Sequence, residues 1–152
     1  YISNGEKIAD IFVKSAKNLN SINCPSSLNS SAIDEFLIIF LVAAKANGIS
    51  TFKNLGELNQ KESPRLDIAV NILKKIGIKV ERKLNNIKIY GDPGLNLKGT
   101  YIIKDFRKDH RIFMMSCIAA LVFGGNWKIH NKDSVNSSFP NFFKILKYLR
   151  KK

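Results

Sequence analysis

Apolar positions change their spacing repeatedly along the chain, and each change predicts an element. The apolar run Ala9 to Lys14 predicts a short strand, and the polar stretch Asn18 to Ser31 predicts a loop. Asp34 to Ala46 is almost wholly apolar, which predicts a buried helix stopped by Asn47-Gly48. Ile49 to Asn54 predicts a strand, and the stripe Leu66, Ala69, Ile72, Leu73 and Ile76 predicts a helix ended by Gly77. Ile78 to Arg82 and Ile87 to Tyr90 alternate around Asn85-Asn86, a hairpin signature. Beyond Gly91-Asp92-Pro93-Gly94 the order starts again. Thr100 to Lys104 predicts a strand, Ile112 to Phe123 a helix stopped by Gly124-Gly125, and Trp127 to Asn131 another strand. Phe142, Ile145, Leu146 and Leu149 stripe a last helix.

The two halves repeat at an offset of about 76 or 77 residues, since Asn47-Gly48, Asn54 and Pro64 are answered by Gly124-Gly125, Asn131 and Pro140. The period implies an α/β fold built from βαβαββ units, one over 9–91 and a second over 99–150 that lacks its closing hairpin. A repeated unit buries its faces against neighbours, so residues 1–152 are expected to form a single partial domain. The start at Tyr1, without an initiator Met, points the same way: a piece of a longer chain.

Composition narrows the function classes. With 45% hydrophobic residues the chain is expected to fold around a core. The apolar runs Phe36 to Ala46 and Ile112 to Gly125 fall short of the roughly 20 residues a membrane-spanning helix needs. No signal peptide is visible, which leaves a cytoplasmic protein with no membrane partner as the default. Cys24 and Cys117 sit in unrelated contexts and read as unpaired thiols in a reducing compartment. No Cys/His cluster has metal-ligand spacing, so no metal and no cofactor is expected. The net charge of +13 permits a nucleic-acid partner, but the lysines are scattered, and only Arg150-Lys151-Lys152 forms a run. Compositional drift towards Lys, Asn and Ile accounts for much of that charge, and nucleic-acid recognition patterns are missing.

Chemistry concentrates where helices begin. Ser31-Ala32-Ile33-Asp34 fits a capping box, with Ser31 as N-cap. Lys61-Glu62-Ser63-Pro64-Arg65 places Ser63 as N-cap and Pro64 at the first helical position. Asp109-His110-Arg111 places Asp109 as N-cap, and Ser138-Phe139-Pro140 does the same for the last helix. Helix N-termini present unpaired N–H groups and the positive end of the macrodipole, so Lys61, Arg65 and Arg111 there predict a site for doubly charged anions. On residues alone, Asp34 also reads as a plain capping carboxylate. Lys61, Glu62 and Arg65 read equally as a solvated charge cluster, and His110 as a surface histidine. His130 reads as structural.

Taken in order and spacing, Ile33-Asp34-Glu35, Lys61-Glu62-Ser63-Pro64-Arg65, Asp109-His110-Arg111 and Ser138-Phe139-Pro140 resemble the 5-enolpyruvylshikimate-3-phosphate synthase family, over about Asn4 to Leu149. The resemblance implies an inside-out α/β barrel domain of enolpyruvyl transferase type, incomplete here, with an N-terminal domain of the same enzyme missing. It implies transfer of the enolpyruvyl group of phosphoenolpyruvate to the 5-hydroxyl of shikimate 3-phosphate. By the same resemblance Asp34 is the general base and touches the shikimate ring, Lys61 contacts shikimate 3-phosphate, and Glu62 is the proton donor. Arg65 and Arg111 clamp phosphoenolpyruvate, with His110 beside them. Three positions depart from the family's pattern: Pro64 replaces the usual Asp, Glu57 an Asn, and Ser137 a Lys. The alternatives are a transferase acting on UDP-N-acetylglucosamine and a non-catalytic basic binding module.

Overall fold

A computed structural model describes residues 2–149, so the run Arg150-Lys151-Lys152 lies outside the described residues. Strand β1 (Ile2–Ser3) pairs antiparallel with β2 (Glu6–Lys7). The turn between them uses Asn4 and Gly5 at φ 53° and 80°, the left-handed pair a tight hairpin requires. Ala9 to Lys14, predicted as a strand, has no regular structure; Ile11, Phe12 and Val13 are 83 to 90% exposed. An apolar run becomes a strand only where a neighbour completes its backbone bonds, and among the described residues no ladder reaches this one.

The extended segment instead lies inside the predicted loop. Asn20 and Asn23 bridge in parallel to Asn47 and Thr51. Around them Asn47 N donates to Leu19 O (2.7 Å), Thr51 N to Ile22 O (2.8 Å) and Cys24 N to Thr51 O (2.9 Å). Their partner is β3 (Gly48–Phe52), which follows helix α1 (Phe36–Lys45). The capping box at Ser31 does not form. Residues 31–35 are turns, Glu35 stands at the N-cap without a side-chain bond, and the Ser31 hydroxyl donates to the Leu28 carbonyl at 3.0 Å. A serine in a polar turn finds a nearby carbonyl before it finds a helix amide.

A 3-10 turn (Gly56–Gln60) leads to α2 (Arg65–Lys75), then to β4 (Val80–Lys83) and β5 (Asn86–Gly91). The three strands pair antiparallel in the order β3-β5-β4. At the end of β5 the chain presses on the end of α1. A Cβ on Gly91 would lie 2.0 Å from the Ala46 carbonyl oxygen, so only glycine fits. The second half holds β6 (Leu97–Ile103), α3 (His110–Phe123), β7 (Gly124–Ile129), a 3-10 turn (Lys132–Val135) and α4 (Phe142–Leu149). Strand β7 pairs with β6 in parallel. Gly124-Gly125, predicted as a helix stop, both end α3 and open β7, at φ 75° and 81°.

Gly48 is answered by Gly124, Gly56 by Lys132 and Arg65 by Phe142, a spacing of 76 or 77 residues. The core forms where α1, α2 and α3 meet. Phe36 and Phe40 of α1 pack edge-on to Phe52 of β3, at 6.1 and 5.2 Å between ring centres. Leu66 and Leu73 of α2 and Ile112 and Met115 of α3 close around them without solvent exposure. Of the predicted stripe on α4 only Phe142 is buried and Leu146 packs in part, while Ile145 and Leu149 face solvent. The outer faces of α1 and α3 are apolar as well: Ile38, Val42, Leu121 and Val122 are exposed.

Candidate active site

Three chain segments deliver charge to one place: the turn before α1, the start of α2 and the start of α3. Arg65, the first residue of α2, is 1% exposed, and every nitrogen of its guanidinium is engaged. Nε donates to Asp109 Oδ2 at 2.9 Å, Nη1 to Asp34 Oδ1 at 3.1 Å, and Nη2 to Glu62 Oε2. Arg111 reaches the same carboxylate from α3. Its Nη2 lies 3.3 Å from Asp34 Oδ2, its Nη1 donates to the Asp34 carbonyl at 2.9 Å, and Glu35 sits 3.7 Å away. The Asp34 carboxylate is therefore shared between two arginines, while its other side remains open to solvent.

Asp109 holds this arrangement from below. It is the N-cap of α3, as predicted, and its Oδ1 accepts from the amides of Arg111 (2.9 Å) and Ile112 (3.4 Å). Its Oδ2 accepts from Arg65 and from the Ser63 hydroxyl at 2.8 Å. Burial pushes the Asp109 carboxyl up. The hydrogen bonds from Arg65 and Ser63, the Arg65 charge and the Arg111 amide outweigh burial and hold the group below its ordinary value. Asp109 is therefore a carboxylate at neutral pH, and it fixes the one guanidinium on which the other two carboxylates converge.

Four of the six predicted site residues, Asp34, Glu62, Arg65 and Arg111, thus meet in one bonded network. Lys61 stands one residue away in sequence but pairs with Glu57 at 3.0 Å. His110 opens α3 beside Arg111 and makes none of the bonds in the network. Two predicted caps are corrected. Ser63 donates to Asp109 and α2 has no side-chain cap, while Ser138 donates to the Val135 carbonyl at 3.5 Å, well before α4 begins. Ser63 and the pairing role of Asp109 are what the sequence did not show, because their bond joins residues 46 positions apart.

A cleft of about 200 Å³ opens beside Asp34, Glu35 and Arg111, walled by Leu37, Met114 and Phe142. A larger one, about 510 Å³, lies against the β3-β5-β4 sheet among Lys53, Glu81, Lys83 and Lys88. The larger cleft holds no carboxylate backed by a buried partner, whereas the smaller opens beside Asp34, which is bonded to the buried Arg65. Among the described residues no group of His, Cys, Asp and Glu is placed to hold a metal ion, and no helix is long and apolar enough to cross a membrane.

The family described as EPSP synthase (3-phosphoshikimate 1-carboxyvinyltransferase) matches residues 5–146. A 3-phosphoshikimate 1-carboxyvinyltransferase from Zymomonas mobilis is 39% identical over 147 residues, covering 95% of this chain and 32% of the relative. One from Thermodesulfovibrio yellowstonii is 36% identical and covers 97% and 33%. The solved structure of the EPSP synthase from Acinetobacter baumannii superposes with a TM-score of 0.74 at 29% identity, over 86% of this chain and 30% of that one. The enolpyruvyl transferase NikO from Streptomyces tendae, at TM-score 0.53 and 17% identity over 76% and 25%, shares the fold. The chain spans about a third of the length of the curated relatives it matches, and its fold is part of the enolpyruvyl transferase α/β architecture.

Proposed function

We propose, for a chain that belongs to the EPSP synthase (3-phosphoshikimate 1-carboxyvinyltransferase) family, that its charged cluster is one wall of an active site moving the enolpyruvyl group of phosphoenolpyruvate to the 5-hydroxyl of shikimate 3-phosphate. The observation that carries this reading is the convergence of Asp34 and Glu62 on the buried Arg65, with Arg111 meeting the same Asp34 carboxylate. Addition of an alcohol to an enol carbon needs a proton delivered to one carbon as the oxygen attacks the next, hence an acid and a base on either side of the reacting atoms. Glu62, taking a proton from solvent once released from Arg65, donates it to the methylene carbon, and Asp34 takes the proton of the 5-hydroxyl as the new C–O bond forms. Breaking the C–O bond to the phosphate, which leaves as inorganic phosphate, while Glu62 takes back a methyl proton then gives the enol ether. Arg65 and Arg111 hold the carboxylate and phosphate of phosphoenolpyruvate, with His110 at the rim, and Lys61 meets shikimate 3-phosphate.

Here those arginines are occupied by the chain's own carboxylates, so an incoming dianion exchanges places with them. That exchange leaves Asp34 and Glu62 free for proton transfer. The relatives' names favour shikimate 3-phosphate over a UDP-sugar acceptor. The same reading has the chain contribute two units, 9–91 and 99–150, with Leu19–Cys24 as the opening strand of the first. The rest of the enzyme, with its N-terminal domain, supplies the opposite wall. Two free thiols fit a cytoplasmic setting. The test is thermal unfolding of the chain with inorganic phosphate or phosphoenolpyruvate. Either should raise Tm, and Arg111→Ala should lose most of the gain; a gain that survives Arg111→Ala, or no gain at all, refutes the anion site.

A further inference from the structure

We infer that Ser63 is a positioning residue for the arginine pair, acting through Asp109; the inference rests on the reading of the cluster as an anion site. Ser63 directly precedes Pro64, the N-cap of α2, close enough in sequence for its hydroxyl to turn onto the helix's own first amides. It does not do so. Helix α2 has no side-chain cap, and the hydroxyl, on a residue 1% exposed, donates instead to Asp109 Oδ2 across 46 positions of sequence.

The consequence is geometric. A carboxylate oxygen accepts along two in-plane directions. Ser63 fills one direction on Oδ2, which leaves the other for Arg65 Nε at 2.9 Å. The opposite oxygen is tied to the first amides of α3, at Arg111 and Ile112. The carboxylate therefore has no rotational freedom left, and Arg65 receives one direction of approach. Its two terminal nitrogens then point away from the core, towards Asp34 and Glu62. Because the same carboxylate also fixes the start of the helix bearing Arg111, Ser63 sets the spacing of the two arginines that receive the anion. Without its hydroxyl, Oδ2 offers Arg65 both directions, and the guanidinium gains a second seating that turns its terminal nitrogens off the cleft.

The test compares the chain with Ser63→Ala and Ser63→Thr by two readouts: the dissociation constant for inorganic phosphate, and solvent exchange of the Arg65 Nε–H followed by nuclear magnetic resonance. Ser63→Ala should weaken phosphate binding and speed the exchange, each by about tenfold, the effect of one hydrogen bond to a charged group. Ser63→Thr, which keeps the hydroxyl, should restore both, which a purely structural loss would not do. If Ser63→Ala does not fold, Ser63→Cys, of similar size but a weak donor, should show the same two losses. Phosphate affinity and Nε–H exchange within twofold of the parent chain in these variants overturn the inference. If the parent chain binds no phosphate, the anion-site reading falls. Exchange of the Arg65 Nε–H then decides the positioning role alone: faster in Ser63→Ala supports it, unchanged overturns it.

Discussion

Replacing Arg65 by Met keeps the length and packing of the side chain but strands the carboxylates that the guanidinium serves. The cost follows from how those partners are exposed. The side chains of Asp34 and Glu62 are 44% and 59% exposed, so water takes over most of what Arg65 gave them, and each pair is worth at most about 1 kcal/mol. The Asp109 side chain is 0% exposed and keeps only Ser63 and two amides, which leaves a buried charge without its counter-ion. Removing one partner of such a pair costs about 3–5 kcal/mol, so the buried contact decides the outcome. The pH dependence follows from the same group. In the parent chain Asp109 is held below its ordinary value and stabilises the fold at neutral pH. In Arg65→Met the push from burial is no longer outweighed by the guanidinium, so the carboxyl destabilises the fold while ionised and is relieved as falling pH protonates it. Urea unfolding at pH 7 and pH 5 should therefore show a loss of about 3–5 kcal/mol that shrinks at the lower pH. Arg65→Met/Asp109→Asn should recover much of it. A loss below about 1 kcal/mol at pH 7, or one of equal size at both pH values, would refute the assignment of Asp109 as a buried charge dependent on Arg65.

Gly91→Ala should cost about 1–3 kcal/mol in thermal unfolding, because its Cβ would fall 2.0 Å from the Ala46 carbonyl oxygen; an unchanged Tm would mean that α1 and β5 do not meet as described. Stability of the parent chain should fall as pH drops through and below the usual carboxylate range, near ~3.9 for Asp, since Asp109 is held below it. Asp109→Asn should remove that share of the acid slope, and an unaltered slope would count against it. Burial pushes the Cys117 thiol up to about 12. Iodoacetamide at pH 8, followed by mass spectrometry, should modify Cys24 well before Cys117, because the thiolate is the nucleophile; equal rates would place Cys117 closer to solvent than it stands.

Elements carried by strong apolar patterning were legible from the residues. The apolar run Asp34 to Ala46 holds helix α1 at Phe36–Lys45, the stripe from Leu66 to Ile76 lies along α2, and the hairpin expected around Asn85-Asn86 turns between β4 and β5. Local pattern and structure part where a partner outside the local window decides. Ala9 to Lys14 has the composition of a strand, but among the described residues no strand pairs with it. Leu19 to Cys24 mixes polar and apolar residues without strict alternation, yet lies against β3 through backbone bonds that no side-chain pattern announces. At the site, helix-start chemistry points to Arg65 and Arg111 in the first turns of α2 and α3 and to Asp109 as a cap, while Asp34 stands in the turn before α1 and not in the capping box expected of it. Position alone points Ser31, Ser63 and Ser138 at helix amides. A hydroxyl rotates towards whichever acceptor the tertiary structure brings, and for Ser63 that acceptor lies on another helix.

A carboxylate that caps one helix and neutralises the first residue of another also ties their formation together. The cap on α3 is a local contact, available as soon as its first turn winds. Burying that cap before Arg65 arrives would strand a charge away from water, so the start of α3 is sheltered only when α2 docks. The two helix starts therefore behave as one cooperative unit rather than as separately fraying ends. Amides in the first turns of α2 and α3 should exchange with solvent at a common rate set by their joint opening, although Arg65 and His110 stand 45 positions apart in sequence.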